Sequence, residues 1–141
     1  MSQMIEFAGN HVMLFGALVV VSALIIKMEL ESRFSSISQL NPSDAVRLMN
    51  DDNVVVVDVR EANEFGGGHI NSAKHIPMSV LKKRVTELEK FKSRPVLAYC
   101  RSGSRSNYAC KVLKKEGFEH VYNLSGGVMN WSSANLPLTK K

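Results

Sequence analysis

Residues 99–106, Tyr-Cys-Arg-Ser-Gly-Ser-Arg-Ser, bring a nucleophile together with two cations and several small polar side chains. Cys100 follows the short apolar run 95–98, which predicts a strand, and a helix is predicted after the loop. The thiolate is the reactive form of cysteine, and a helix N-terminus and nearby cations both favour it. With Arg101 and Arg105 beside it, Cys100 is therefore placed to ionise and to hold an anion.

The remaining residues of this segment are suited to an anion cradle. Gly103 lets backbone amides turn inward, and the small side chains of Ser102 and Ser104 keep the cradle open. Two plainer interpretations stay open at this point. In the first, Cys100 is an inert buried thiol. In the second, the two arginines are solvated surface charges.

Three other residues whose side chains could take part in chemistry are predicted to be structural. Cys110 lies ten residues after Cys100, too far along the chain to assume a resolving pair, and no C-x-x-C spacing indicates redox or zinc chemistry. His69 is predicted as a turn residue, because no second histidine is suitably spaced for a catalytic or metal pair. Trp131 is predicted to anchor the final helix by packing. We therefore expect no metal and no cofactor.

The elements that must position the loop alternate between the two regular types. Val54–Val57 is a continuous β-branched run, which is typical of a strand buried on both faces of a parallel sheet. Helices are predicted at 42–49, 61–65, 79–91, 107–116 and 128–133, and strands at 54–57, 73–76, 95–99 and 120–123. This alternation indicates an α/β domain with a mainly parallel sheet.

Composition allows one globular domain with an appendage and gives no sign of a nucleic-acid partner. The chain has 141 residues, of which 45% are hydrophobic and 22% charged, and its formal net charge is +5. The basic clusters, such as Lys82-Lys83-Arg84, lack interleaved aromatic residues and match no nucleic-acid-binding motif. We interpret them as solvated faces near an anionic membrane surface, in a domain that attracts small anions.

The appendage is an N-terminal apolar segment. Val12–Ile26 is interrupted only by Ser22, and its flanks, Phe7 and Ala8 among them, extend it to the length of a spanning helix. We predict a transmembrane anchor at 8–30, a linker at 31–36 and a domain at 37–138. A cleaved signal peptide and a buried core helix are the alternatives. The first lacks a basic n-region and a small-x-small cleavage site, and the second lacks a polar face.

Flanking charges predict the orientation of this anchor. Lys27 and Arg33 follow the apolar run and no Lys or Arg precedes it, so the positive-inside rule places the C-terminal domain in the cytoplasm. Two cysteines also fit a reducing compartment better than a disulfide framework. The predicted location is the cell inner membrane, crossed once, with the lipid bilayer as one partner.

Five segments, in order and in suitable spacing, carry a resemblance to a known family. They are Val55-Val56-Val57-Asp58-Val59-Arg60-Glu61, Glu64-Phe65, Gly68-His69-Ile70, the 100–106 loop and Gly126-Gly127-Val128-Met129-Asn130-Trp131. Residues 36–138 thereby resemble the rhodanese family, and the whole chain is similar to bacterial membrane-anchored single-domain rhodanese-like proteins. The resemblance implies a three-layer α/β domain with a mainly parallel sheet.

The resemblance also implies sulfur transfer by double displacement. Cys100 is expected to take a sulfane sulfur from thiosulfate or a persulfide donor and to pass it to cyanide, a thiol or a protein acceptor. The segment 101–105 is expected to bind the donor anion, since a basic residue after the cysteine resembles thiosulfate-using members. Asp58, Arg60 and Ser106 are expected to support the loop.

Two other functions are weighed against this hypothesis. Cysteine phosphatases and arsenate reductases use a related cradle, but in tyrosine phosphatases five residues separate cysteine from arginine. Here four separate Cys100 from Arg105, and Ser106 stands at the wider-loop position. Some rhodanese-like domains instead act as binding or sulfur-relay modules, and a membrane-tethered module of that kind without efficient turnover remains the alternative.

Overall fold

The structure, a computed structural model, describes residues 3, 6, 9–34 and 36–140. The chain divides into two units at the boundary between Ser36 and Ile37. The first unit contains helix α1, Val12–Phe34, whose segment Val12–Glu31 is long and apolar enough to cross a membrane. At 1.5 Å per residue this segment measures about 30 Å, the thickness of a bilayer core.

Helix α1 extends beyond the predicted anchor into the predicted linker. It continues to Phe34, so residues 31–34 of that linker are helical. Phe7, Ala8 and the side chain of Arg33, which entered the anchor and orientation predictions, lie outside the described residues. Every side chain in the segment Val12–Glu31 is exposed.

The second unit is built on a five-stranded sheet in which every pairing is parallel. The strands are β1 Ser38–Leu40, β2 Val55–Asp58, β3 Lys74–His75, β4 Val96–Tyr99 and β5 Val121–Leu124. Their order in the sheet is β1-β5-β4-β2-β3, with β4 at the centre. The helices are α2 Pro42–Met49, α3 Ala62–Gly66, α4 Leu81–Arg84, α5 Ser104–Lys115 and α6 Gly127–Ser133, with 3₁₀ turns at Met78–Val80 and Val85–Phe91. The α/β prediction is confirmed.

Two hydrophobic cores, one on each face of the sheet, give the domain its three layers. Successive residues of a strand point to opposite faces, so Val55 and Val57 enter one core and Val56 enters the other. The first core includes Leu113 of α5, and the second includes Trp131 of α6. Strands β2 and β4 are buried along their whole length, and for β2 the continuous β-branched run 54–57 predicted this.

The structure corrects one predicted element and adds one that was not predicted. The amphipathic helix predicted at 79–91 is instead a short α-helix, α4, between 3₁₀ turns. Val85, Leu88 and Phe91 are all buried and are spaced by three, so a helix of three residues per turn aligns them on one row facing the core. Strand β1 was not predicted, because its sequence, Ser-Gln-Leu, lacks β-branched residues and it forms only by pairing with β5.

Candidate active site

The site lies at the carboxyl edge of the sheet, where the loops after its parallel strands meet. Cys100 directly follows the central strand β4, and α5 begins at Ser104, earlier than the predicted Asn107. Gly103 is the residue before the helix and has φ of 98°. A Cβ at this position would lie 3.2 Å from the backbone nitrogen of Gly126, so glycine permits both the turn and the close packing.

The Sγ atom of Cys100 is enclosed by hydrogen-bond donors. The backbone N–H of Gly103 donates to it over 3.1 Å, and the Ser106 hydroxyl oxygen lies 3.3 Å away. Burial raises the pKa of the Cys100 thiol, but the Ser106 hydroxyl and the backbone N–H groups of Ser106, Gly103 and Ser102 outweigh it. The net result is a lowered pKa, as a nucleophilic thiol requires.

The two arginines predicted to bind the donor anion stand in different surroundings. Arg105 forms a bidentate ion pair with Glu64 of α3, with both nitrogen–oxygen distances 2.8 Å. The hydrogen bond from Arg105 lowers the pKa of Glu64 to about 2, so this carboxylate stays ionised. Arg101 is exposed, and within the described chain its side chain makes no ion pair. Sequence reasoning gave Glu64 no role, although it lies in one of the five segments.

Ser102 and Ser104 are exposed at the mouth of the loop, and their hydroxyl oxygens lie 3.5 Å apart. Their small size leaves the loop lined mainly by backbone. Cys100, in contrast, has no solvent-exposed surface. The side chains of Arg101, Ser102 and Ser104 are the exposed ones next to this buried sulfur in the sequence.

Asp58 and Arg60 form a buried ion pair, with Nη2 and Oδ2 2.7 Å apart. The same Nη2 donates to the carbonyl oxygen of Gly68 over 2.8 Å. The hydroxyl of Tyr99, the residue before Cys100, accepts a hydrogen bond from the N–H of Ile70. These contacts connect the ends of β2 and β4 to the 68–70 loop. The Asp58–Arg60 pair was expected to support the cysteine loop, but its hydrogen bond to a loop runs from Arg60 to Gly68.

The Gly126-Gly127 turn supports the cysteine loop from β5 and α6. The N–H of Val128 donates to the carbonyl of Cys100 over 2.8 Å, and the N–H of Met129 donates to the carbonyl of Arg101 over 3.1 Å. A Cβ on Gly127 would overlap both of those carbonyl groups. The glycine pair belongs to one of the five segments, but its contact with the cysteine loop was not predicted. A double glycine at a strand end was the available signal.

The residues predicted to be structural are packed in the domain. Burial raises the pKa of Cys110 to about 12, and its thiol donates to the Tyr122 carbonyl. The His69 ring stacks on Phe65 with centroids 3.9 Å apart, and Trp131 Nε1 donates to a backbone carbonyl. Among the described residues, no group of three or more His, Cys, Asp or Glu side chains is arranged to hold a metal ion.

The sequence and the fold were compared with those of known proteins, and the matches include rhodanese-like proteins and a sulfurtransferase. The sequence model of the family described as Rhodanese-like domain matches residues 41–134. The uncharacterized protein YibN of Escherichia coli K12 is 33% identical over 141 residues, 99% of each chain. A sulfurtransferase of Allochromatium vinosum is 39% identical over 92 residues, 65% of this chain and 84% of that protein. A rhodanese-related protein of Thermoplasma volcanium has a crystal structure with TM-score 0.67 and 27% identity, over 74% of this chain and 99% of its own.

The family match includes every part of the site described above. It spans the β2 end, the 68–70 loop, the cysteine loop and the Gly126-Gly127 turn. The relative named sulfurtransferase supports sulfur transfer as the general class of activity. The chain belongs to the rhodanese-like domain family.

Proposed function

We propose that this chain is a sulfurtransferase that carries sulfane sulfur as a persulfide on Cys100, taken from thiosulfate or from a persulfide donor. The observation that carries the proposal is the environment of Sγ, where a hydroxyl and backbone N–H groups at the start of α5 lower the thiol pKa. The loop between Cys100 and Arg105 has four residues, which suits a transferred sulfur atom better than a phosphate.

The reaction proceeds in two displacements. The Cys100 thiolate attacks the outer sulfur of thiosulfate. One S–S bond forms, the S–S bond of thiosulfate breaks, and sulfite leaves with the bonding electrons. An acceptor thiolate or cyanide then attacks the outer sulfur of the persulfide, and Cys100 departs as the thiolate. The donors around Sγ stabilise the negative charge before and after each step, and exposed Arg101 provides a contact for the entering anion.

We further propose that α1 anchors the protein once in the cell inner membrane with the domain in the cytoplasm. Support comes from the length and apolar composition of Val12–Glu31 and from Lys27 and Arg33 after the apolar run. Two reporters, green fluorescent protein and alkaline phosphatase, are fused separately at the C-terminus to test the orientation. We expect the first fusion to fluoresce and the second to be inactive. Alkaline phosphatase activity would overturn the orientation.

Intact mass spectrometry tests the proposed chemistry. The full-length chain in detergent micelles is incubated with thiosulfate, the excess thiosulfate is removed, and the intact mass of the protein is measured. We expect a gain of one sulfur atom that a reductant reverses. Cys100→Ser should abolish the gain, while Cys110→Ala, the matched control at a buried thiol of raised pKa, should retain it. No gain with thiosulfate, polysulfide or a small persulfide would sink the proposal.

The same preparations distinguish the two other functions. Release of phosphate from an aryl phosphate ester, lost in Cys100→Ser, would support a cysteine phosphatase. A chain that accepts sulfur but does not pass it to cyanide or to a small thiol would instead act as a relay or binding module. Sulfite release is measured alongside, since the first displacement yields one sulfite for each persulfide formed.

A further inference from the structure

Ser106 faces two acceptors with only one proton to donate. Its hydroxyl oxygen lies 2.6 Å from Oδ1 of Asn123 and 3.3 Å from Sγ of Cys100. A serine hydroxyl carries a single hydrogen, so it cannot donate to both atoms at the same time. The shorter distance is to Asn123, which is 2% exposed and lies on β5.

The amide of Asn123 is held in one orientation by its other neighbours. Its Nδ2 lies 3.0 Å from the carbonyl oxygen of Gly103 and 2.9 Å from Oε1 of Gln39. A backbone carbonyl only accepts hydrogen bonds, so the amide nitrogen must face Gly103 and the amide oxygen must face Ser106. Gln39 is oriented in the same way, because its Nε2 donates to the backbone carbonyl oxygen of Ile37 over 3.3 Å. Oδ1 of Asn123 can only accept, so it requires the Ser106 proton.

We propose that Asn123 is a positioning residue that competes with the Cys100 thiolate for the hydroxyl proton of Ser106. While Cys100 is a thiol, Ser106 donates to Asn123 and presents a lone pair to the sulfur. When the thiol proton leaves to solvent, the Ser106 hydroxyl turns from Asn123 to Sγ, and the buried Asn123 oxygen loses its partner. Asn123 thereby restrains ionisation in the resting site. This role rests on Cys100 being the reacting thiol, as proposed above.

Charged groups near the sulfur do not replace this competition. From α5, Arg105 and Cys110 interact electrostatically with Cys100, but Glu64 of α3 pairs with Arg105, and the raised pKa of Cys110 keeps it neutral. From β2, Asp58 and Arg60 pair with each other. The other titratable groups of the loop and its flanking elements are exposed Arg101, Tyr99 on β4, Tyr122 on β5 and, on α5, Tyr108, Lys111, Lys114 and Lys115, while α6 carries none. Burial raises the pKa of Tyr99, so its hydroxyl stays neutral.

The test is the pH profile of the thiolate absorbance in the full-length chain in detergent, with Cys100→Ser as the blank. Asn123→Val removes the competing acceptor and keeps a residue that suits a strand. We expect the midpoint of Cys100 ionisation to move to lower pH by roughly 0.5 to 1 unit, the effect of one neutral hydrogen bond. Asn123→Leu, closer to asparagine in shape, is the second variant if valine packs poorly.

Two further variants separate this role from a structural one. In the Ser106→Ala background, Asn123→Val should leave the midpoint unchanged, because no hydroxyl proton remains to be released. Gln39→Leu, the matched control, removes one bond of Asn123 but leaves Gly103 to orient its amide, so no shift is expected. An equal shift with and without Ser106, a shift to higher pH, or no shift would each overturn the proposal.

Sulfur loading, measured by mass on the same samples, keeps this proposal distinct from the proposed function. A wild-type chain that takes up no sulfur but shows the expected midpoints refutes the sulfurtransferase function and leaves the competition for the Ser106 proton supported. A chain that takes up sulfur normally but shows no shift in Asn123→Val refutes the role of Asn123 alone.

Discussion

Replacement of Glu64 by glutamine should destabilise the domain at neutral pH and have little effect in strong acid. In the wild type the Glu64 carboxylate accepts from both terminal nitrogens of Arg105, at 2.8 Å each. This pair connects α3 to the first turn of α5, next to Cys100. Glutamine preserves the size of the side chain and removes its charge, so the variant isolates the ionic contribution.

The magnitude follows from the pKa of Glu64, which falls from 4.5 to about 2, mainly because Arg105 donates to the carboxylate. Taken at face value, this fall corresponds to roughly 3 kcal/mol of stabilisation. The side chains of Arg105 and Glu64 are 37% and 26% exposed, however, so solvent screens the pair. We therefore expect about 1 to 2 kcal/mol.

The pH dependence has a definite sign. A carboxylate whose pKa is depressed by folding stabilises the native state fully above its unfolded pKa of 4.5, and this contribution is lost as pH falls towards 2. Urea unfolding of residues 37–140 should show a free-energy difference between wild type and Glu64→Gln that shrinks over that interval. Glu87→Gln is the matched control, because its pair with Arg84 is exposed and should contribute much less. A difference that is constant with pH would refute the ionic explanation.

Three other predictions concern the loop itself. Arg101→Ala should raise the thiosulfate concentration needed for half-maximal sulfur loading by roughly three- to tenfold, the effect of one exposed charge-assisted contact; an unchanged concentration dependence would count against that contact. Gly127→Ala should abolish loading and lower the unfolding free energy by at least about 1 to 3 kcal/mol, because its φ of 58° and its contact with the Cys100 carbonyl both disfavour a Cβ; normal loading would contradict this. The midpoint of Cys100 ionisation should change by less than about 0.5 pH unit between low salt and 1 M salt, since short-range hydrogen bonds are little screened; a larger rise would indicate that the charges of nearby arginine side chains set this midpoint.

Much of the fold was predictable from local sequence. The β-branched run at 54–57 predicted β2, and Asn41-Pro42 predicted the start of α2, where the Asn41 side chain accepts from the Asp44 N–H. Strand β1 was not predictable in this way, because Ser38–Leu40 becomes a strand only through its pairing with β5, far along the chain. Such tertiary pairing overrides weak local preference.

The site shows the same division between local and distant information. The nucleophile, the loop residues and the glycine before α5 are contiguous in sequence, so their chemistry could be inferred directly. The partners that tune them are distant, since Glu64 is separated by 41 positions from Arg105, and Asn123 by 17 from Ser106. No periodicity or spacing rule relates residues at such separations, and only the parallel sheet brings their loops to one edge.

The distribution of charge around Cys100 bears on both steps of the proposed sulfur transfer. The sequence suggested that two arginines stabilise the thiolate, but Arg105 is engaged by Glu64, and the strongest stabilising contacts are uncharged N–H and O–H donors. In the proposed reaction Cys100 is the nucleophile of the first displacement and the leaving group of the second. The same N–H and O–H donors therefore stabilise its thiolate in both steps. The same cradle can therefore favour ionisation of Cys100 and still allow the outer sulfur to depart with an acceptor, which is what a carrier of sulfur requires.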